Sequence, residues 1–440
     1  MSRTRRIVLS TLGSLGDLHP VMGLALELRA RGHDVLIVTS EFYRAKIEGA
    51  GLAFRPLRPH FSPDDPQIVA TVMRSRRGPE VLIRDLMLPH LREMYSDLFE
   101  ATAGADYLIS GEVVMATPLV AEKRGLRWAA AILAPFSFFS VHDPVVVPML
   151  PFGGALARAP ASAQRLVLAV AKRLTAHWLE PIRALRRELG LRPHVQPLLG
   201  DRFSPTLNLA LFGPDLGTPQ SDWPRNTRQT GFVFYDEIGA ATPADAVRTD
   251  PASGDRRLEA FLAAGEPPIV FTLGSAAVLA AGDFFEEAAR AARQLGRRAL
   301  LVMGGNPVPT APTDELFAVD YAPYSQVFSR AAAVVHQGGA GTTGQALRAG
   351  VPQLIVPYGF DQPDNAARIV RAGIGLTLSR RRLRAGRIAA ALRNLLDNAS
   401  YAARARTAAE RLAASRGAAL ACDAIEQDLG TTAARDPRTA

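Results

Sequence analysis

The chain has a single cysteine, Cys422, among its 440 residues. That excludes an intramolecular disulfide, and with no second thiol it excludes a cysteine metal site too. In ALACDAIEQDL this residue keeps helical spacing with alanine and isoleucine, so it reads as a small buried side chain in a protein of a reducing, cytoplasmic setting. Long apolar runs are also missing. The tract at 128–141 is shorter than a membrane-spanning helix and contains Pro135. The basic start MSRTRR imitates a secretion signal, but the apolar stretch behind it is short and soon meets Asp17, which predicts a first strand instead. Peripheral contact with a lipid surface stays open. No nucleic-acid motif or aromatic-interleaved basic patch occurs, and the densest basic run, SRRRLRAGR at 379–387, reads as a solvated loop and helix face. Nucleic acid is therefore not an expected partner.

What the chain does have is bulk and alternation. Hydrophobic residues make up 48% and charged residues 21%, the balance of a globular enzyme. The length suits two domains of about 200 residues each. A net charge of +9 favours anionic ligands or lipid surfaces. Strand and helix signals alternate from the start: a strand at 6–11, an amphipathic helix at 19–32 ending on Gly32, then strands at 34–40, 105–111 and 127–133 with a helix at 117–124. Periodicity is lost around 236–257, where Gly, Pro, Ala and Asp gather as in a linker. It then restarts with strands at 267–274, 297–305, 331–337 and 352–358 and helices at 283–295 and 341–350. The fold class is α/β: two doubly wound, Rossmann-like domains, 1–235 and 258–425, facing each other across a cleft, with a loose tail at 426–440.

The stretch VVHQGGAGTTGQALRAGVPQLIVPYGFDQ, residues 334–362, carries the strongest chemistry. His336 closes an apolar strand. Gly338, Gly339 and Gly341 let the backbone approach a ligand, and Thr342 and Thr343 bring hydroxyls to a first helical turn. A phosphate or diphosphate at the helix N-terminus is the natural occupant. Gly339, Gly341 and Gly344 also satisfy GxGxxG, with Asp361 about 20 residues on, as a dinucleotide site wants. The position deep in the second half and the preceding histidine argue against that reading.

The segment HQGGAGTTGQALRAGVPQLIVPYGFDQPDNA resembles the signature of the nucleotide-sugar-dependent glycosyltransferases of GT-B fold. Among these the chain looks most like the bacterial rhamnosyltransferase B and sterol-type branch. The likeness continues through GSLGDLHPVMGLALELRARGH, SDWPRNTRQTGF and FTLGS. It implies that His336 contacts the donor diphosphate, with Gly338, Gly339, Gly341 and Thr342 around it and Ser275 adding a hydroxyl. It implies that Tyr321 stacks on a pyrimidine while the Ala322 backbone meets the base edge, and that Asp361 and Gln362 hold sugar hydroxyls.

In the first half, Gly13, Ser14 and Gly16 form the loop after the first strand, and Asp17 or His19 is placed to take the acceptor proton. The resemblance favours Asp17, because antibiotic and sterol-type members carry aspartate where plant members carry histidine. Plant members support that histidine with a second aspartate; here Gly111 and then Glu112 stand at that place. Two positions apart on a helix, Asp17 and His19 face different ways. The apolar region 135–154, with Phe136, Phe138 and Phe139, reads as a wall for a lipid, sterol or aromatic acceptor, against plain core packing. The chain has no Asp-x-Asp motif and no histidine cluster. We therefore expect no metal and no cofactor beyond a UDP- or dTDP-sugar co-substrate, and an inverting transfer. A nucleotide-sugar-binding protein without catalysis, or an epimerase of the same fold, is the alternative.

Overall fold

The computed structural model describes residues 4–60, 65–74, 77–147, 156–192, 202–236, 251–309 and 315–430. The first unit runs β1 (Arg6–Ser10), α1 (Leu15–Ala30), β2 (Asp34–Thr39), β3 (Ala53–Pro56), α2 (Pro66–Arg74), α3 (Leu91–Ala101), β4 (Tyr107–Gly111), α4 (Thr117–Arg124), β5 (Trp128–Ile132), α5 (Ala161–Thr175), α6 (Glu180–Glu188), β6 (Leu207–Ala210) and β7 (Thr227–Gln229). Its seven strands lie in the order β3-β2-β1-β4-β5-β6-β7, each adjacent pair parallel. Both faces are covered, so strand residues alternate between two cores. Ile7 and Leu9 pack towards α1, and Val8 towards α3.

The second unit contains α7 (Pro251–Ala263), β8 (Ile269–Thr272), α8 (Phe284–Leu295), β9 (Ala299–Val302), β10 (Leu316–Val319), β11 (Ala333–His336), α9 (Ala340–Ala349), β12 (Gln353–Ile355), α10 (Gln362–Arg371), β13 (Gly375–Thr377), α11 (Ala385–Asp397), α12 (Ala399–Ala413) and α13 (Gly417–Gly430). Its sheet is parallel in the order β10-β9-β8-β11-β12-β13. In each sheet the strand order reverses direction once, between β1 and β4 and between β8 and β11. Loops leaving the C-terminal ends of those strands open a crevice there, which is where open α/β sheets bind ligands.

The chain's end departs from the sequence reading, which closes the second domain at 425. Helix α13 continues to Gly430 and packs on the first unit. Arg31 binds Asp423 at 2.6 Å and Glu426 at 2.9 Å, and the Tyr107 hydroxyl donates to Asp428 at 2.6 Å. Cys422 is fully buried against α1, as its helical spacing predicts. The expected linker lies largely at 237–250, and the rest of the tail at 431–440, outside the described residues. Among the described residues no helix is long and apolar enough to cross a membrane.

Candidate active site

A cleft of about 1920 Å³ lies between the two units, lined by the loops after β1, β4, β5, β8, β10 and β11 and by the start of α10. The loop after β1 turns at Gly13, whose φ is +130°; a Cβ there would lie 2.4 Å from the Asp17 carboxylate. Ser14 then caps α1. Its hydroxyl accepts from the Gly16 N–H at 3.2 Å, while Asp17 Oδ2 accepts from the Ser14 N–H at 2.9 Å and from its hydroxyl at 3.3 Å. This reciprocal arrangement is a capping box. Gly13, Ser14, Gly16, Asp17 and His19 all line the cleft. Burial pushes the Asp17 carboxyl up to about 6; the Ser14 bonds oppose that, and the charge of Glu112 adds to it. His19 packs its ring 5.2 Å from that of Tyr235, and burial, with Lys46 nearby, drives its pKa down to about 3, so it stays neutral.

Across the cleft, β11 ends at His336, and here the expectation needs correcting. His336 is fully buried and does not line the cleft. Its Nδ1 accepts from the Gly338 N–H at 3.0 Å, which leaves Nε2 to donate to Gln353 Oε1 at 2.9 Å. Both ring nitrogens are thus spent on holding the turn, and burial lowers the pKa to about 4. Gly338 also serves the turn: φ is +91°, its carbonyl accepts from Asn365 at 2.9 Å, and a Cβ would lie 2.7 Å from Ile355. Neither residue lines the cleft.

Gln337 does line it, a residue the sequence reading passed over. Neighbouring strand residues point to opposite sides, so a histidine turned into the sheet puts the next side chain towards the crevice. The Gln337 Nε2 donates to the Thr342 hydroxyl at 3.3 Å, and its buried Oε1 has no hydrogen-bond partner among the described residues. The amide lies against Gly274 and Gly339, where added Cβ atoms would sit 2.3 and 2.9 Å from Nε2. Gly339 is the N-cap of α9 and offers no side-chain cap, so the first N–H groups of that helix are left for an outside partner. Gly339, Gly341 and Thr342 line the cleft, as does Ser275 in the turn after β8. At Gly341 an added Cβ would be 3.9 Å from the Gly16 Cα, so the two loops nearly touch.

Tyr321, 37% exposed, and the buried Ala322 line the cleft beyond β10. Asp361 precedes α10 without capping it; its Oδ2 accepts from Asn365 at 2.7 Å. Burial raises its pKa to about 7, and the charges of Asp17 and Asp364 act in the same direction. Asp361 therefore senses the charge of Asp17 on the opposite unit. Gln362 also lines the cleft, while its Oε1 accepts from the Tyr358 and Gly359 N–H groups at 2.8 and 3.1 Å.

Of the three phenylalanines expected on the acceptor wall, Phe136 and Phe139 line the cleft. Phe138 does not. It stacks on Trp223 at 4.0 Å and on Phe203 at 5.7 Å inside the core, because the tight 3-10 turn at 135–138 sets residues three apart on one side and turns Phe138 away from them. Residues 148–154 of this region lie outside the described residues. Further apolar wall comes from α2 (Ile68, Val72), from Leu86 and from α5 (Val167, Leu168), elements that no sequence motif marks.

Comparison with known proteins finds relatives along nearly the whole chain. Residues 7–121 match the glycosyltransferase family 28 N-terminal domain, and residues 306–426 match the erythromycin biosynthesis protein CIII-like C-terminal domain. The chain is 34% identical to O-mycaminosyltylonolide 6-deoxyallosyltransferase of Streptomyces fradiae, an alignment covering 96% of this chain and 97% of that one. In fold it is similar to the glycosyltransferase SsfS6 of Streptomyces sp. SF2575 complexed with thymidine diphosphate (TM-score 0.62, 22% identity, 96% and 99% covered). It is also similar to the spinosyn rhamnosyltransferase SpnG complexed with thymidine diphosphate (TM-score 0.63, 19% identity, 95% and 99% covered).

Proposed function

Because the chain belongs to the nucleotide-sugar-dependent glycosyltransferases of GT-B fold, of the antibiotic and natural-product type, we propose that it moves a hexose from a dTDP- or UDP-sugar to a hydroxyl of a hydrophobic acceptor, inverting the anomeric centre without a metal ion. One observation carries this reading: a half-buried carboxylate, Asp17, stands across a narrow cleft from the uncapped N-terminus of α9. The pairing supplies a base on one wall and an anion-binding site on the other.

With Oδ2 held by the Ser14 cap, Oδ1 of Asp17 takes the proton of the acceptor hydroxyl. A carboxyl that titrates at about 6 is ionised at neutral pH and still basic enough to act. The acceptor oxygen bonds to the anomeric carbon as the bond from that carbon to the diphosphate oxygen breaks. The electron pair leaves with the nucleoside diphosphate, and the proton stays on Asp17. The new negative charge meets the N–H groups at the start of α9, the Gln337 amide and the Thr342 and Ser275 hydroxyls, helped by the helix dipole. Base and leaving group lie on opposite walls, so one displacement inverts the centre. Asp361 and Gln362 hold sugar hydroxyls, Tyr321 stacks on the pyrimidine and the Ala322 backbone meets its edge. The thymidine diphosphate of two structural relatives favours dTDP. The apolar wall around Phe136 and Phe139 suits an acceptor with a large hydrophobic body.

The test begins with thermal stabilisation by dTDP-glucose, dTDP-rhamnose and UDP-glucose. Transfer is then run in excess EDTA, and proton NMR assigns the product anomer. Activity should persist with the configuration opposite to the donor's. A loss rescued by magnesium overturns the metal-free mechanism, and a retained configuration removes Asp17 as the base. Binding without turnover, or sugar isomerisation without an acceptor, would replace transfer altogether.

A further inference from the structure

Helix α10 carries more than the sugar-facing pair at its start. Asp361, Asp364 and Arg368 recur at spacings of three and four, so they share one face of the helix. Asp364 and Arg368 are almost fully buried, at 1% and 2% exposed. Arg368 Nε donates to Asp364 Oδ2 at 2.7 Å, and its Nη1 donates to the Leu216 carbonyl at 2.8 Å and to Asp143 Oδ2. The other oxygen of Asp143 accepts from Arg371 at 3.0 Å. In return, Asp364 Oδ1 accepts from the Val146 N–H at 2.9 Å. Two carboxylates and two guanidinium groups thus cancel in charge and satisfy each other. Leu216, Asp143 and Val146 belong to the first unit; the rest belong to the second.

Asp143 sits in the loop that supplies the acceptor wall. The same loop holds Phe136 and Phe139 on one side of it and Pro144 and Val145 on the other, all lining the cleft. It is itself braced: the Asp143 N–H donates to the Ser140 hydroxyl at 3.1 Å, and Asp222 accepts from that hydroxyl at 2.7 Å and from the Val141 N–H at 2.8 Å. A buried ion cluster is a poor source of net stability, because desolvation offsets the attraction, but its directional bonds permit few alternative arrangements. At this place what it fixes is the attitude of α10 to the acceptor loop.

We propose that Asp143 is a positioning residue for transfer: by clamping Arg368 and Arg371 it holds the helix that presents Asp361 and Gln362 in register with the loop that walls the acceptor. The proposal rests on the reading of Asp361 and Gln362 as sugar-holding groups. The nucleotide contacts lie elsewhere, on α9 and after β10, so loosening the clamp should disturb the meeting of sugar and acceptor and leave nucleotide binding alone.

Asp143→Ala, Asp143→Glu and Arg371→Gln are compared with the wild type. Arg371 is the exposed half of the clamp, so its variant strands no buried charge and keeps the test independent of folding in the Asp143 variants. Hydrogen–deuterium exchange of the whole chain is followed at 358–366 and 135–147. Steady-state release of nucleoside diphosphate is measured with dTDP-glucose and UDP-glucose, using 4-nitrophenol as acceptor. Exchange should quicken at least tenfold at both segments in Asp143→Ala and Arg371→Gln and stay unchanged at 340–349. The kcat should fall at least tenfold in Asp143→Ala with the donor KM within twofold, and Asp143→Glu should recover part of it. Unchanged exchange at both segments, or a lower melting temperature with kcat and KM intact, overturns the proposal. Asp361→Asn is run alongside. If it transfers normally, the sugar-holding reading fails and takes the proposal with it; if it alone is impaired, only the role of Asp143 fails.

Discussion

Helices α1 and α9 face each other across the cleft, and each starts from a glycine-bearing turn at the end of a strand. Their first turns are satisfied in opposite ways. Helix α1 caps itself, with Ser14 and Asp17 returning hydrogen bonds to its own backbone, and it thereby fixes a negative charge at the cleft wall. Helix α9 begins at Gly339 with no side-chain cap, and its N–H groups and dipole are left for an anion from outside. On the proposed mechanism, the capped end carries the base and the open end receives the leaving group. Local sequence chemistry, a serine and an aspartate against a run of glycines, sets the two roles.

Four experiments break or sharpen this contrast. Asp17→Asn removes the charge from the capped end and keeps the cap, since asparagine also accepts from Ser14; turnover should fall about 1,000-fold. Calorimetry with dTDP should show unchanged affinity, and a dead His19→Ala beside an active Asp17→Asn would hand the role to His19. Next, Gln337→Ala should lower kcat about 100-fold by removing a donor to the leaving diphosphate. Its neighbour His336→Ala should instead cost about 2 to 4 kcal/mol of stability, because it leaves a buried cavity and an unpaired Gln353. Denaturant melts and kinetics on both variants separate the two; a stable, inactive His336→Ala would return the histidine to the diphosphate.

Third, Gly339→Asp converts the open end into a capped one. The position has extended backbone that suits an N-cap, and the nearest obstacle to a side chain is the flexible Gln337 amide. Stability should rise by about 1 kcal/mol while dTDP affinity drops about tenfold. Movement of both in the same direction would mean that α9 does not bind the diphosphate.

The smallest effect is that of pH. As the proposed base, Asp17 must be ionised to act, so kcat/KM should rise with pH through about 6 and fall about tenfold per unit below it. Folding runs the other way. Asp17 and Asp361 titrate at about 6 and about 7, above their unfolded values, so the folded chain binds more protons between about pH 4 and 7. The free enzyme should lose the stability due to these groups as pH rises across that window, and Asp361→Asn should flatten the slope in melting temperature.

The central strands were legible because their apolar runs are bounded by turn residues; β1, β2, β4, β5, β8, β9, β11 and β12 all fall within predicted segments. The edge strands β3, β7, β10 and β13 were not, since a three- or four-residue strand at a sheet margin leaves no run to read; interior β6 is the exception among the central strands, because Asn208 interrupts its four residues. Helix α1 begins at Leu15, well ahead of the predicted start, because Ser14 and Asp17 nucleate it before the apolar periodicity sets in. At the site, the motif marked the right loop, but strand alternation turns its histidine away from the cleft and brings Gln337 to the lining. Phe138 failed for a related reason: a cluster of three aromatics does not say which points inward, and the 3-10 turn sets Phe136 and Phe139, three apart, on the cleft side.

By itself the sequence determined the two α/β units, the capped and uncapped helix starts, and the place of Asp17. These depend on neighbours in the chain, through hydrogen-bond rings a few residues wide and the period of apolar residues. Tertiary structure alone decided that Asp17 lies close enough to Asp361 to raise its pKa, that Gly16 and Gly341 nearly touch, and that Asp143 reaches Arg368 and Arg371 across the units. Those contacts join residues hundreds of positions apart. Their strength comes from burial, which removes water from charges only once both halves have folded and met.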